Sequence, residues 1–273
     1  MANLEGQRIA LAEGRQQDEL AEMVSKEGAE VLRYPLISII DTPDQAPVET
    51  WIKDLISGRF DFLILMTGEG IRRLAEFANR MGLRTEFLAG LQKTSCLSRG
   101  PKPNQVLKEF GLAPVPVSES PTSAGIVASL KKMDLAGKCL ALTRHGKPSP
   151  EIEDYLTSSA IEFHPVQPYL YIPDSDDGKV EDLVFRMGRG EIDVLILTSS
   201  PQVDRMFEVV DQRGLQEKLA DGLSRTRLAA VGPLVAENLR RRGASAAITP
   251  EKGFVMKNLV QLIKKNPRQE PSP

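Results

Sequence analysis

Residues 61–83 read DFLILMTGEGIRRLAEFANRMGL, and residues 193–215 read DVLILTSSPQVDRMFEVVDQRGL. The two stretches lie 132 residues apart and share a framework. Leu63, Ile64 and Leu65 fall on Leu195, Ile196 and Leu197; Arg73 falls on Arg205, Glu76 on Glu208, and Gly82-Leu83 on Gly214-Leu215. The same offset continues without a gap through Leu91 and Leu223, Gly100-Pro101 and Gly232-Pro233, Leu107 and Leu239, and Gly111 and Gly243. Upstream, GQRIALAEGR from Gly6 resembles GKCLALTRHG from Gly137, and TSAGIVASLKKM (122–133) matches EKGFVMKNLVQLIKK (251–265). Several matches in one order identify a duplication: the chain is two copies of one unit.

Within each copy, short apolar runs alternate with helical periodicity. Strands are expected at Arg8–Ala12, Phe62–Met66, Thr94–Leu97, Ala113–Val117, Cys139–Leu142, Val194–Thr198, Leu228–Val231 and Ala246–Ile248. Their continuous apolar character predicts burial on both faces. Helices are expected at 17–27, 69–81, 101–110, 122–132, 150–158, 201–212, 233–242 and 254–264. Pro101 and Pro233 suit a first helical turn, and Gly82, Gly111, Gly214 and Gly243 suit helix ends. Strand-helix alternation predicts an α/β fold with doubly wound parallel sheets. RYPLISIIDTP (33–43) and FHPVQPYLYIP (163–173) differ from the rest, because prolines force extended backbone before them. They are read as two linker strands. The tail NPRQEPSP (266–273) has nothing to bury and is read as disordered.

Composition narrows the function. The 273 residues carry 35 Lys+Arg and 37 Asp+Glu, a formal net charge of −2, which argues against nucleic-acid binding. No apolar run spans a membrane, and MANLEGQRIALAEGR does not read as an export signal, so a cytoplasmic location is expected. Two cysteines and two histidines, far apart in sequence, leave little material for a metal site. No Walker-type loop, GxGxxG or GxSxG elbow occurs.

In open parallel sheets ligands bind beyond the carboxyl ends of the strands. That rule selects Thr67-Gly68-Glu69-Gly70, Arg99-Gly100-Pro101-Lys102, Ser199-Ser200-Pro201-Gln202, Gly232-Pro233-Leu234, Ala12–Arg15 and Arg144-His145-Gly146-Lys147. Glycine and small hydroxyl residues there let backbone approach a ligand, and helix N-termini offer N–H groups to anions. A polycarboxylate suits several such turns. Thr67, Gly68, Gly70, Arg99, Gly100, Lys102, Arg144, Gly146, Lys147, Ser199, Ser200, Gln202 and Gly232 are therefore the candidate binding residues. His145 is read as a loop residue, His164 as structural, Met206 and Phe207 as core, and Asp174–Asp177 as a solvated loop. Tyr169 and Tyr171 lie in the linker; either they pack between domains, or Tyr169 aims its hydroxyl into the cleft.

These motifs resemble the uroporphyrinogen-III synthase family over nearly the whole chain. The resemblance rests on LILTSSPQVDRMF (195–207), LAAVGPLVAENLRRRGA (228–244), LILMTGEGIRRL (63–74), LSRGPKPNQVLKEFGL (97–112) and PVQPYLYIP (165–173), in that family's order. It implies two α/β domains joined by a two-stranded linker, with a cleft between them. The first domain would comprise 1–37 plus 172–265 and the second 38–171, so that the two copies exchange their first strand and helix. It implies conversion of hydroxymethylbilane, supplied by porphobilinogen deaminase upstream, to uroporphyrinogen III without metal or organic cofactor. Tyr169 matches the family tyrosine that assists loss of the leaving group. The chain also departs from the family pattern. Leu234-Val235 stand where Thr-Thr is common, TGEG replaces a Ser/Asn-rich turn, and Tyr171 replaces a common threonine. The first departure motivates an alternative, a non-catalytic tetrapyrrole-binding or regulatory homologue.

Overall fold

The structure is a computed structural model, and it describes residues 4–146, 148–174 and 176–266. The chain divides into two compact units. One is built from both chain ends, through Ile39 and from Tyr171 onward; the other is Ile40–Leu170. Eleven strands run in chain order among the described residues: β1 (Arg8–Leu11), β2 (Glu30–Arg33), β3 (Ile37–Asp41), β4 (Phe62–Leu65), β5 (Ser95–Ser98), β6 (Cys139–Thr143), β7 (Glu162–Val166), β8 (Tyr169–Pro173), β9 (Val194–Leu197), β10 (Arg227–Ala230) and β11 (Ala246–Ile248).

The unit containing the chain ends holds a parallel sheet in the order β11-β10-β9-β1-β2. The other holds a parallel sheet in the order β5-β4-β6-β7. β3 and β8 pair as a separate two-stranded sheet. The first two strands of each copy join the other copy's sheet, the opening strand making the junction: β1 pairs with β9, and β6 with β4. Each sheet therefore has one point where strand order reverses, between β1 and β9 and between β4 and β6. Reversal points are where an open α/β sheet leaves a crevice at its carboxyl edge.

β4 shows why the apolar runs are continuous. Leu63 and Leu65 join one buried cluster with Trp51, Phe77 and Phe87, while Ile64 and Met66 join another with Ile126, Leu142 and Leu156. Alternate side chains enter opposite faces, and helices cover both. In the other unit, all four residues of β9 are fully buried in a single cluster that also contains Met206 and Phe207.

Three expectations need correction. Ala113–Val117 forms only an isolated bridge, Val117 beside Ser98. Pro114 and Pro116 stand where the other copy has Ala246 and Ile248 of β11. Proline cannot donate to a ladder, so one unit's sheet gains a fifth strand and the other's does not. The proline-flanked segment 163–173 is not one linker strand: its first half belongs to β7, at the edge of the β5-β4-β6-β7 sheet, and Tyr169 begins β8. Pro165 is tolerated at an edge, where no second ladder is needed. Finally, Asp174–Asp177 is not wholly a solvated loop. Asp176 caps the helix Asp177–Gly188, accepting from the Lys179 N–H at 2.9 Å. Asp177 binds Arg205 and Arg213 at 2.5 and 3.0 Å.

Four helices have no counterpart among the expected ones: Ala46–Ser57, Arg84–Lys93, Asp177–Gly188 and Gln216–Arg225. Arg84–Lys93 and Gln216–Arg225 start beside Leu83 and Leu215 without any side-chain cap, which removed the usual start signal. Residues 267–273, most of the tail read as disordered, lie outside the described residues; the Asn266 carbonyl accepts from Arg227 at 2.5 Å.

The reversal point between β4 and β6 is closed by a side chain. Thr143, fully buried, accepts from the Met66 N–H at 3.0 Å and donates to the Ile64 carbonyl at 3.1 Å. Thr143→Val keeps the shape but strands a buried N–H, so it should cost about 1–3 kcal/mol in denaturant unfolding. Thr143→Ser should recover most of that loss; equal stability of the valine variant would show that the bond contributes nothing.

Candidate functional site

In the unit Ile40–Leu170, β4 runs into Thr67, the N-cap of helix Gly68–Arg80. The Thr67 hydroxyl oxygen accepts from the Gly70 N–H at 3.0 Å and is hydrogen-bonded to the Tyr169 hydroxyl at 3.1 Å. Tyr169 is fully buried, while Thr67 is half-buried and meets solvent. Of the two readings of Tyr169, the hydroxyl thus points at the strand-to-helix turn of its own unit. Gly68 is needed for close approach: a Cβ there would sit 2.8 Å from Val106 Cγ2 and 3.0 Å from the Lys102 carbonyl oxygen. A Cβ on Gly70 would press on Thr67 Oγ1 at 3.3 Å. The TGEG turn therefore packs tightly on helix Pro101–Glu109, whose own N-cap is Gly100. The Arg99 N–H donates to the Leu65 carbonyl at 2.9 Å, tying that second turn to the end of β4; the Lys102 side chain is exposed.

Glu69 and Arg73 extend this corner. Arg73 donates to Glu69 at 2.8 Å and to Asp41 at 2.7 Å. Its counterpart in the other copy, Arg205, pairs with Asp177. In both copies the same helix position holds an aspartate near the end of a linker strand: Asp41 closes β3, and Asp177 lies four residues past β8.

After β6, Arg144 makes a two-pronged bond to Glu153 at 2.9 and 2.5 Å, and the Ser149 N–H adds a third donor at 2.9 Å. Arg144 thus braces its loop. Gly146 adopts φ +79°, a conformation that favours glycine, and its carbonyl accepts from Gln167 at 3.3 Å. His145 Nδ1 lies 3.3 Å from the Ser149 hydroxyl. Lys147 lies outside the described residues.

In the unit with the chain ends, Ser199 is the N-cap of helix Ser200–Arg213. Gln202 is buried and serves the cap: its Oε1 accepts from the Thr198 and Ser199 N–H groups at 2.7 and 3.2 Å. Its Nε2 donates to Thr198 at 2.9 Å and to Glu13 at 3.3 Å. The Thr198 hydroxyl also donates to Glu13. Glu13 follows β1, so this network spans the reversal point between β1 and β9, and it was absent from the sequence reading. The sequence places Glu13 in the Ala12–Arg15 turn, but its pairing with Thr198 and Gln202 exists only once β1 lies beside β9. Gly232 caps helix Pro233–Arg241 and lies against Phe254, where a Cβ would come within 3.1 Å of the ring. Beside it Leu234 and Val255 are exposed, at 39% and 42%.

The turns after β4, β5, β9 and β10 are thus all helix N-termini at carboxyl strand ends, and a sequence model settles what family builds them. The model described as uroporphyrinogen-III synthase HemD matches residues 18–261. The chain belongs to the uroporphyrinogen-III synthase family. A crystal structure of a mutant uroporphyrinogen III synthase from Thermus thermophilus is 28% identical, covers 95% of this chain and 98% of that chain, and superposes with a TM-score of 0.75. Uncharacterized protein YjjA of Bacillus subtilis is 28% identical over 260 residues, 95% of this chain and 96% of its own length. The uroporphyrinogen-III synthetase of Helicobacter pylori, 12% identical with a TM-score of 0.54 over 96% of this chain and 100% of its own, shares the fold. The family is one of lyase-type biosynthetic enzymes with α/β architecture, as seen here in two groups of parallel strands. Among the described residues no helix is long and apolar enough to cross a membrane.

Cys139, Glu162 and His164 come together, with ligand atoms all within 4.8 Å of one another. Residues distant along the chain meet here because β6 and β7 are adjacent.

The brace at Arg144 carries a pH signature. Burial opposes ionisation of Glu153, but the Arg144 guanidinium and the Ser149 N–H outweigh it and hold the carboxyl below the usual carboxylate range. A lowered folded-state pKa gives stability that is present above the unfolded value and lost as pH falls through the folded one. The stability gap between wild type and Glu153→Gln should therefore be largest near neutral pH and shrink in acid. A gap independent of pH, measured by denaturant unfolding at stepped pH, would sink this account.

Proposed function

We propose that this chain is an active uroporphyrinogen-III synthase, closing hydroxymethylbilane to uroporphyrinogen III with inversion of the last pyrrole ring. The observation that carries the reading is the Thr67–Tyr169 hydroxyl pair at the N-terminus of helix Gly68–Arg80, on the reversal point of a parallel sheet. Hydroxymethylbilane loses its hydroxyl as water after protonation, leaving an electron-poor azafulvene. The substituted carbon of the last ring then attacks, a spiro intermediate forms, and reopening and reclosure turn that ring over. The bare chain of four pyrroles cyclises without inversion. The enzyme's task is to hold one folded conformation and to assist departure of one hydroxyl, which needs positioning and differential binding more than a strong nucleophile.

The residues suit those tasks unequally. Tyr169, through Thr67, supplies a hydrogen bond at the leaving hydroxyl. The turns at Thr67, Gly68, Gly70, Arg99, Gly100 and Lys102, and at Ser199, Ser200 and Gly232, offer backbone N–H groups and small side chains to acetate and propionate carboxylates. Gln202, Arg144 and Gly146 act on these loops from beneath, since their polar atoms are engaged in capping and bracing. The source of substrate is porphobilinogen deaminase chemistry, and the setting is cytoplasmic. A second reading, a tetrapyrrole-binding homologue without turnover, is favoured by Leu234-Val235 after Gly232, where the family commonly offers hydroxyls: Leu234 is exposed and apolar, and Val235 is buried.

A coupled assay with porphobilinogen deaminase decides between them. The expected product is predominantly isomer III. Only isomer I at every enzyme concentration would overturn the catalytic reading, and tight tetrapyrrole binding without isomer III would establish the second. Tyr169→Phe should fold normally and lose about 10-fold in kcat, the worth of one hydrogen bond. Unchanged turnover in that variant would remove the hydroxyl from the mechanism.

A further inference from the structure

We infer that Cys139, Glu162 and His164 form a binding site for a zinc-type divalent metal at the amino ends of β6 and β7, away from the carboxyl-end turns. The sheet register builds the site. Cys139 stands beside Glu162, and Ala141 beside His164, so His164 is two residues along the same strand and on the same face as Glu162. His164 Nε2 lies 2.8 Å from Glu162 Oε1, and Cys139 Sγ lies 3.7 Å from the same oxygen. Zinc bonds of about 2.0–2.3 Å to N, O and S place tetrahedral ligands roughly 3.3–3.7 Å apart, so small side-chain motions suffice. One thiolate, one imidazole and one carboxylate are a donor set for Zn²⁺ or Co²⁺ rather than Mg²⁺ or Ca²⁺. A fourth position is left for water.

The surroundings support a built site. The His164 carbonyl accepts from Trp51 Nε1 at 3.1 Å, and the His164 ring packs on Phe60 with centroids 5.7 Å apart. The Cys139 N–H is held by Asp61 at 2.8 Å, adding a carboxylate to the local field. The cation now facing the cluster is Arg59, 3.2 Å from His164 Nε2 and 3.7 Å from Glu162. It has an alternative anchor in Asp54 at 2.8 Å. Arg59 is thus a stand-in positive charge that a metal would displace toward Asp54. Binding there would clip edge strand β7 to β6.

The test is a Co²⁺ titration of the untagged, chelator-treated full chain. A thiolate-to-cobalt charge-transfer band should saturate at one equivalent and be displaced by Zn²⁺. Cys139→Ser should abolish the band. Glu162→Gln and His164→Gln should weaken binding at least about 10-fold. Arg59→Gln should tighten it about 5-fold, since it removes one competing near-surface charge. Cys96 cannot mimic the signal, because it is buried and desolvation pushes its thiol up to about 12. Glu162 is exposed, so its variant keeps the test interpretable if a cysteine variant misfolds. A folded wild type and Arg59→Gln chain without the band, or a band that survives Cys139→Ser, would overturn the site.

Discussion

A parallel strand buried on both faces has only its ends through which to reach solvent, and this constraint organises the whole chain. β4, β9 and their neighbours spend their side chains on two helix layers, as the split of Leu63 and Leu65 from Ile64 and Met66 shows. What remains for chemistry is the turn where each strand passes into a helix. There the chain must stop one hydrogen-bonding pattern and begin another, and the groups left over are N–H donors. Thr67, Gly100, Ser199 and Gly232 each manage that change as an N-cap. The positive ends of several helices are thus presented by a protein whose net charge is −2. On the proposed function, affinity for a polyanionic substrate would be a local property, set by backbone geometry rather than by overall balance.

Duplication makes the two units comparable experiments. The same arginine, Arg73 in one copy and Arg205 in the other, holds an aspartate at or just past the end of a linker strand. The copies diverge where chemistry differs. One turn is capped by threonine that also meets a tyrosine; the other is capped through a buried glutamine that binds Glu13. The first presents hydroxyls, and the second places a carboxylate at its reversal point.

Strands buried on both faces and helices with a proline start or glycine stop were readable in the sequence, because both features are local. β9 and helix Pro233–Arg241 are examples. What escaped depended on partners distant in the chain. The edge strands β2 and β7 carry mixed exposure and become strands only by pairing with β1 and β6. The candidate site divides in the same way. The turns were found by their glycines and hydroxyls, but whether a polar side chain is spare or engaged was invisible: Gln202 and Arg144 read as ligand contacts and serve as cap and brace. The grouping of Cys139 with His164 likewise exists only through strand adjacency.

The exchange of first strands also governs the order in which the molecule can be made. On a ribosome, residues 40–170 emerge as one uninterrupted stretch, and every strand of the β5-β4-β6-β7 sheet is available once β7 has left the tunnel. The other sheet cannot close on that schedule. β1 and β2 are synthesised before the other described strands, and Ile9 can pair early with Val31, yet its partner on the other side, Val194, comes much later, and β10 and β11 later still. The N-terminal hydrophobic strands must therefore wait, unsheltered on one side, through most of translation. The middle segment is the first able to finish, and the sheet holding β1 and β2 is completed only by β9, β10 and β11.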